Sequence, residues 1–206
     1  MERSATDADL VAAMLVEAGN ESYGGEAVSQ LEHALQAAAL AEAVGKDEEF
    51  VVACLLHDLG HLTPEARTVL DATDAGETGA VLAERQRREG ADHGPVGASF
   101  LDYLASERIR WLIANHATAK RYLCTVEPGY WDRLSPVSKQ TLEYQGGRMT
   151  PAEVAEVARH PWLADLVLLR RFDDEAKVPG LATPPVAHYR PMLERTIGGG
   201  GQPTAG

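Results

Sequence analysis

The run DEEFVVACLLHDLGHL (47–62) is apolar on nearly every face. A helix of that character has to be enclosed by other helices, because no side of it can face water. The run therefore predicts a helical bundle with this segment at its centre, opened by an aspartate cap at Asp47. Its last part breaks the apolar pattern: His57, Asp58 and His61 stand where leucines would fill a core. On a helix running to residue 62, His57 and His61 share a face, and Asp58 lies about 100° round from His57. An unpaired carboxylate buried there costs several kcal/mol or takes up a proton. A bound cation removes that cost, and the two oxygens of Asp58 could bridge two cations.

The rest of the chain supplies helices to surround it. DADLVAAMLVEAG (7–19) puts Leu10, Val11, Met14 and Leu15 at helical spacing. VSQLEHALQAAALAEAVG (28–45) has a cap at Ser29, an inner stripe of Leu31, Leu35, Ala38 and Ala39, and Gly45 as its stop. Helices are predicted over 93–105 and 107–124. SPVSKQTLEYQGG is a further one, with a serine cap, a proline in its first turn and Gly146-Gly147 to close it. TPAEVAEVARHPWLADLVLLRRFDDEAK (150–177) repeats the Thr-Pro start and breaks at His160-Pro161, and a short helix is predicted near 188–196. DATDAGETG (71–79) reads as a surface loop. No run of alternating β-branched residues occurs. The reading is one all-α domain over residues 1–197, with GGGGQPTAG (198–206) a disordered tail.

A formal net charge of −12 argues against a nucleic acid or an anionic lipid surface as partner. It leaves room for a small anion in a locally basic pocket. Cys54 and Cys124 lie in apolar sequence and read as buried reduced thiols. The start MERSATDADL is polar and acidic, unlike a signal peptide. No stretch reaches the ~18 apolar residues of a membrane span, so a cytoplasmic protein is expected. Nothing in the sequence specifies an oligomeric state.

More metal-ligating side chains recur in apolar helical segments. His33 lies between Leu31 and Leu35, His93 opens HGPVGASFLDYL, His116 ends WLIANH, and Asp173 follows LVLLRRF. One histidine at helical spacing is ordinarily a hydrogen-bonded core residue. Five of the seven histidines together with two aspartates, spread over separate apolar helices, point instead to metal binding. The other two, His160 and His188, sit in proline-rich sequence and read as surface or turn residues. Imidazole and carboxylate without thiolate suit iron or manganese and disfavour a cysteine-rich structural zinc site.

The order H…HD…H…H…D resembles that of the HD-domain superfamily, all-α metalloproteins of which most are phosphohydrolases. SYGGEAVSQLEHALQAA, HATAKRYLC, SPVSKQTLEYQGG and LLRRFDD further resemble its branch of mixed-valent di-iron oxygenases, over about residues 20–177. The resemblance implies an HD-domain helical bundle holding two iron ions, Fe(II) and Fe(III). His33, His57, Asp58 and Asp173 would hold one iron, with Asp58 bridging, and His93 and His116 the other. Tyr23 would cap an iron in the resting enzyme. His61, Lys120 and Arg170 would face a phosphonate, with Ser138, Thr141 and Gln145 as neutral hydrogen-bonding groups. Glu26 would meet the substrate's amino end, and Asp58 and His61 would be catalytic. The implied reaction uses dioxygen to cleave the carbon–phosphorus bond of a 1-hydroxy-2-aminoethylphosphonate, as primary amine or N-trimethyl analogue. Its products would be phosphate and glycine or glycine betaine. The alternative is a metal-dependent phosphohydrolase acting on a nucleotide or small phosphomonoester.

The residues themselves agree in part. Lys120 lies four after His116 and Arg170 three before Asp173, so each shares a helix face with a candidate ligand. Two cations beside a metal cluster call for an anion between them, and a phosphonate would serve. Both are equally readable as partners of Asp132, Asp174 or Glu175. Ser138 and Thr141 equally suit a helix surface, Tyr23 a packing role, and Glu26 a helix N-terminal charge. Glu26 suits a primary ammonium, whereas Tyr23, Tyr122, Tyr130 and Trp131 could cage a quaternary one. Gly24-Gly25 allow the Tyr23–Glu26 segment unusual freedom.

Overall fold

The computed structural model describes residues 6–18, 23, 26–63 and 93–198. Helices α1 (Asp7–Ala18), α2 (Gln30–Ala43) and α3 (Glu48–Leu56) come first, with a 3-10 turn over Leu59–Leu62. Then follow α4 (93–100), α5 (Glu107–Val126), α6 (Tyr130–Arg133), α7 (Pro136–Tyr144), α8 (Pro151–Val157), α9 (Leu163–Glu175) and α10 (Val186–Thr196). No strand occurs among the described residues. The all-α reading therefore stands, with an isolated antiparallel bridge between Ala105 and Ile197.

The helix starts follow from side-chain caps. Ser29 accepts from the Glu32 amide and Glu32 returns a bond to the Ser29 amide, a capping box. Asp47, Ser106, Ser135 and Thr150 each accept an amide three residues on. Pro136 and Pro151 take first-turn positions, where no amide hydrogen is needed. Gly45 ends α2 with φ +71°, a conformation that suits glycine.

Residues Phe50–Leu56 of α3 are all buried, and α2, α5, α9 and α10 enclose them. Alanines 34, 37, 38 and 41 line α2 and let it lie close to α3. Leu31 and Ala39 are only half-buried. On α1 the inward residues are Ala8, Val11 and Leu15, while Leu10 is 51% exposed, against the sequence reading. A second apolar cluster of Leu123, Cys124, Tyr130, Leu134 and Leu142 seats α6 and α7 on α5.

Two helices end earlier than the sequence suggests. The pattern of 47–62 favours one helix to residue 62, yet α3 stops at Leu56, with His57 as its C-cap. The cause is a close approach to α4, distant in sequence. A Cβ on Gly60 would lie 1.9 Å from the His93 carbonyl oxygen, and one on Gly97 would lie 2.8 Å from the Gly60 amide nitrogen. The chain tightens into a 3-10 turn so that two glycines can meet. We expect Gly60→Ala to force the turn away from α4, costing about 1–3 kcal/mol and loosening His93. Thermal unfolding and metal content would report this, and an unchanged melting temperature would contradict the contact. The helix predicted over 93–105 ends at residue 100. The chain then turns through Tyr103, at φ +66°, before Ala105 pairs with Ile197.

Cys54 and Cys124 are buried free thiols. His188 is on the surface, bonded to Glu42, and His160 is a turn residue stacked on Trp111. The loop expected at 71–79 and residues 199–206 of the expected tail lie outside the described residues. Among those residues, no helix is long and apolar enough to cross a membrane.

Candidate metal centre

Four helices and one turn deliver the predicted donors to one place. His33 comes from α2, His57 and Asp58 from the turn after α3, His93 from α4, His116 from α5 and Asp173 from α9. All six are buried.

Main-chain carbonyls orient three of the rings. His33 Nδ1 lies 2.8 Å from the Ala176 oxygen, His57 Nδ1 2.8 Å from the Cys54 oxygen, and His116 Nδ1 2.7 Å from the Ile113 oxygen. A carbonyl can only accept, so each Nδ1 carries the hydrogen and each Nε2 presents a lone pair. Those lone pairs point at one another. His33 Nε2 and His57 Nε2 are 3.0 Å apart, with Asp58 Oδ2 at 3.6 and 3.4 Å from them. Asp173 Oδ1 is 3.5 Å from His33 Nε2. On the other side His93 Nε2 and His116 Nε2 are 2.7 Å apart, and Asp58 Oδ1 is 3.3 Å from each.

Each oxygen of Asp58 thus faces its own histidine pair. Asp58 Oδ2 and Asp173 Oδ1 are buried without a hydrogen-bond donor in bonding geometry among the described residues. Lone pairs and carboxylate oxygens packed this closely repel one another unless a cation lies among them. Two ligands at right angles around an ion, each about 2.1 Å from it, stand about 3.0 Å apart, which matches the histidine pairs. The arrangement is a metal-binding one, its neutral imidazoles and carboxylates suiting borderline divalent or trivalent ions.

The electrostatics agree. Burial and the neighbouring His57 lower His33 to about 4, so its ring is neutral at physiological pH. Burial pushes Asp58 up, but the surrounding imidazoles of His57, His116 and His93 outweigh it and hold the carboxyl well below its usual range. Tyr23 stacks on His33 at 4.0 Å between centroids. Burial and the charges of Asp58 and Asp173 push its hydroxyl well up.

His61 is half-buried and stacks on His93 at 4.2 Å. One of its nitrogens lies within 4.8 Å of donor atoms on Asp58 and His93. Burial and His93 lower it to about 3. It reaches the centre through the 3-10 turn, not through the shared helix face that the spacing suggested.

The two predicted cations have different surroundings. Lys120 is buried and donates to Thr141 Oγ1 at 2.7 Å. Burial and the nearby Arg170 lower it to about 7. Arg170 donates to Asp173 Oδ2 at 2.7 Å and to the Tyr130 hydroxyl at 3.0 Å, and it also pairs with Asp174. The alternative of an ion pair with Asp174 is therefore realised, and Arg170 holds the carboxylate of Asp173 in place. Ser138, Thr141 and Gln145 fall three and four residues apart along α7 and its C-cap. Ser138 is buried. Glu26 Oε1 accepts from Ser135 Oγ at 2.6 Å.

Sequence reasoning missed Lys177. Its Nζ lies 3.8 Å from Asp173 Oδ1, 3.7 Å from Glu26 Oε1 and 3.3 Å from Ser138 Oγ. The signal was present, since Lys177 follows Asp173 by four residues, the spacing that singled out Lys120 after His116. It also missed Gln36, whose amide bonds both backbone groups of Val178. That pins the segment whose Ala176 carbonyl orients His33.

A helical bundle converging this donor set on a shared aspartate defines a metalloprotein of the HD class. The HD domain model matches residues 31–159, and the chain belongs to the HD-domain family. Within that family it is similar to 1-hydroxy-2-(trimethylamino)ethylphosphonate dioxygenase (glycine-betaine-forming) of Leisingera caerulea. The identity is 37% over 180 residues, 87% of this chain and 84% of that protein. It is also 40% identical to hydroxymethylphosphonate dioxygenase of Gimesia maris over 183 residues, 89% of this chain and 85% of that protein.

Proposed function

We propose that this chain is an O2-dependent dioxygenase that cleaves the carbon–phosphorus bond of a small 1-hydroxyalkylphosphonate, with two iron ions, Fe(II) and Fe(III), as cofactor. The observation that carries the reading is Asp58 divided between two histidine pairs, in a chain similar over most of its length to two phosphonate dioxygenases.

In this reading His33, His57, Asp58 and Asp173 hold one iron, and His93, His116 and Asp58 the other. When bound, the irons supply dioxygen activation and one-electron oxidation at the substrate carbon. The chain's residues do the placing. The carbonyl-anchored histidines keep the lone pairs converged before metal or substrate arrives. Tyr23 covers the His33 side in the resting enzyme and moves off when substrate enters. Lys120 receives the phosphonate, with Ser138, Thr141 and Gln145 completing its hydrogen bonds. Because Lys120 lies near neutrality at about 7, an arriving dianion draws a proton fully onto it. His61, a neutral ring, hydrogen-bonds the substrate above His93. Arg170 keeps Asp173 ionised and aimed. Hydroxymethylphosphonate plus O2 would give formate, phosphate and one proton, with both oxygen atoms retained in products. A cytoplasmic location belongs to the same reading, supported by two unpaired buried thiols.

Aerobically purified protein is expected to hold about two irons per chain and to give a mixed-valent paramagnetic signal. It should release one phosphate per O2 consumed from a 1-hydroxyalkylphosphonate. Phosphate release from a nucleotide without oxygen uptake would replace this reading with hydrolysis.

A further inference from the structure

We infer that Lys177 fills the place a substrate ammonium would take, so that the site selects 1-hydroxyalkylphosphonates whose arm carries no positive charge. The inference rests on the dioxygenase reading and narrows its substrate class.

A cationic arm needs a free carboxylate or an open aromatic face. Glu26 is the carboxylate the sequence offered for it. In the structure Glu26 is engaged twice, by the Ser135 hydroxyl at 2.6 Å and by the Lys177 ammonium at 3.7 Å. Ser135 also caps α7, its oxygen accepting the Ser138 amide at 3.1 Å. Glu26 is thereby tied to the start of a helix, and its charge is already faced by one cation. Lys177 is held on its other sides by Ser138 Oγ and Asp173 Oδ1. An ammonium brought to Glu26 would meet a like charge within the reach of one carboxylate.

Three of the four candidate aromatics are engaged in the resting site as well. Tyr23 stacks on His33, and the Lys177 ammonium lies over its ring, 5.8 Å from the centroid. Tyr130 bonds Asp174 and Arg170 through its hydroxyl. Trp131 already carries the Lys139 ammonium over its ring at 4.5 Å. The chain's own lysines thus sit over Tyr23 and Trp131, two of the faces that a quaternary ammonium would seek.

The test uses the iron-loaded full chain and four substrates: hydroxymethylphosphonate, 1-hydroxyethylphosphonate, 1-hydroxy-2-aminoethylphosphonate and its N-trimethyl form. Oxygen uptake gives kcat/KM for each, and anaerobic equilibrium binding gives the same comparison without turnover. The wild type should favour the two uncharged arms. Lys177→Met should shift the ratio of aminated to uncharged substrate toward the amine by about three- to fivefold, the scale of one ion pair. Adding Glu26→Gln should cancel that shift. Lys177→Gln serves the same purpose if the methionine variant folds poorly. A wild type that prefers a cationic arm, or a ratio unmoved by either Lys177 variant, overturns the inference and leaves the dioxygenase reading intact. Absence of oxygen uptake with all four substrates overturns both.

Discussion

Replacing Asp58 with alanine is expected to empty both halves of the centre at once. Its Oδ2 faces His33 and His57 and its Oδ1 faces His93 and His116. Neither half retains a shared oxygen after the change. Loss of a group that only orients a ligand already weakens metal binding by about 10–100-fold, and in the proposed centre Asp58 would contact both ions directly. Iron per chain should fall to near zero and oxygen consumption should vanish. The metal-free variant should be no less stable than metal-free wild type, because the mutation removes a buried negative charge from a nest of lone pairs. The stabilisation conferred by iron should be what disappears, as thermal unfolding with and without iron will read. His116→Ala is the contrast and should retain the ion on the His33 side. Two irons per chain in Asp58→Ala would disprove the bridge.

The second large effect is expected at Arg170, and it differs in kind from that at Lys120. Arg170 is buried against Asp173, Asp174 and Tyr130. Arg170→Ala strips the guanidinium from two carboxylates and leaves Asp173 only the more distant Lys177, and breaking such a buried pair costs about 3–5 kcal/mol. The variant should unfold at lower temperature and bind less iron on the Asp173 side. Arg170→Lys should recover only part of this, since one point charge cannot serve three acceptors in a fixed fork. Lys120→Ala should keep both irons and lose substrate affinity instead. A hydrogen bond to a charged group contributes about 1.5–3 kcal/mol, or a rise in KM of roughly ten- to a hundredfold. Arg170→Ala with wild-type stability and full iron would remove its assignment as the support of Asp173.

The helix starts could be read from the sequence because caps are local. Ser29, Asp47, Ser135 and Thr150 each bond an amide three residues away, and that capping bond needs no distant partner. The donor set was legible for a related reason: buried histidines and aspartates in apolar helices leave few alternatives. The end of α3 was not legible, because the Gly60–Gly97 approach that bends it joins segments far apart in the chain. Arg170 was ambiguous for the same reason. Its spacing from Asp173 suggested a shared face, but only packing decides whether its donors meet substrate or carboxylates. Lys177 escaped notice although it follows Asp173 by four residues, because its partners Glu26 and Ser138 come from distant parts of the chain. Glu26 was weighed as an open anion, and only the fold brings Ser135 and Lys177 to it.

The rings of His33, His57 and His116 are hitched to the peptide oxygens of Ala176, Cys54 and Ile113. Substitution can delete any side chain, but it leaves those oxygens where the helices put them. These three rings therefore keep their orientation through substitutions of most side chains around them. If residues along α7 and just beyond α9 meet the substrate as proposed, exchanging them should alter which phosphonate is accepted while these anchors stay in place.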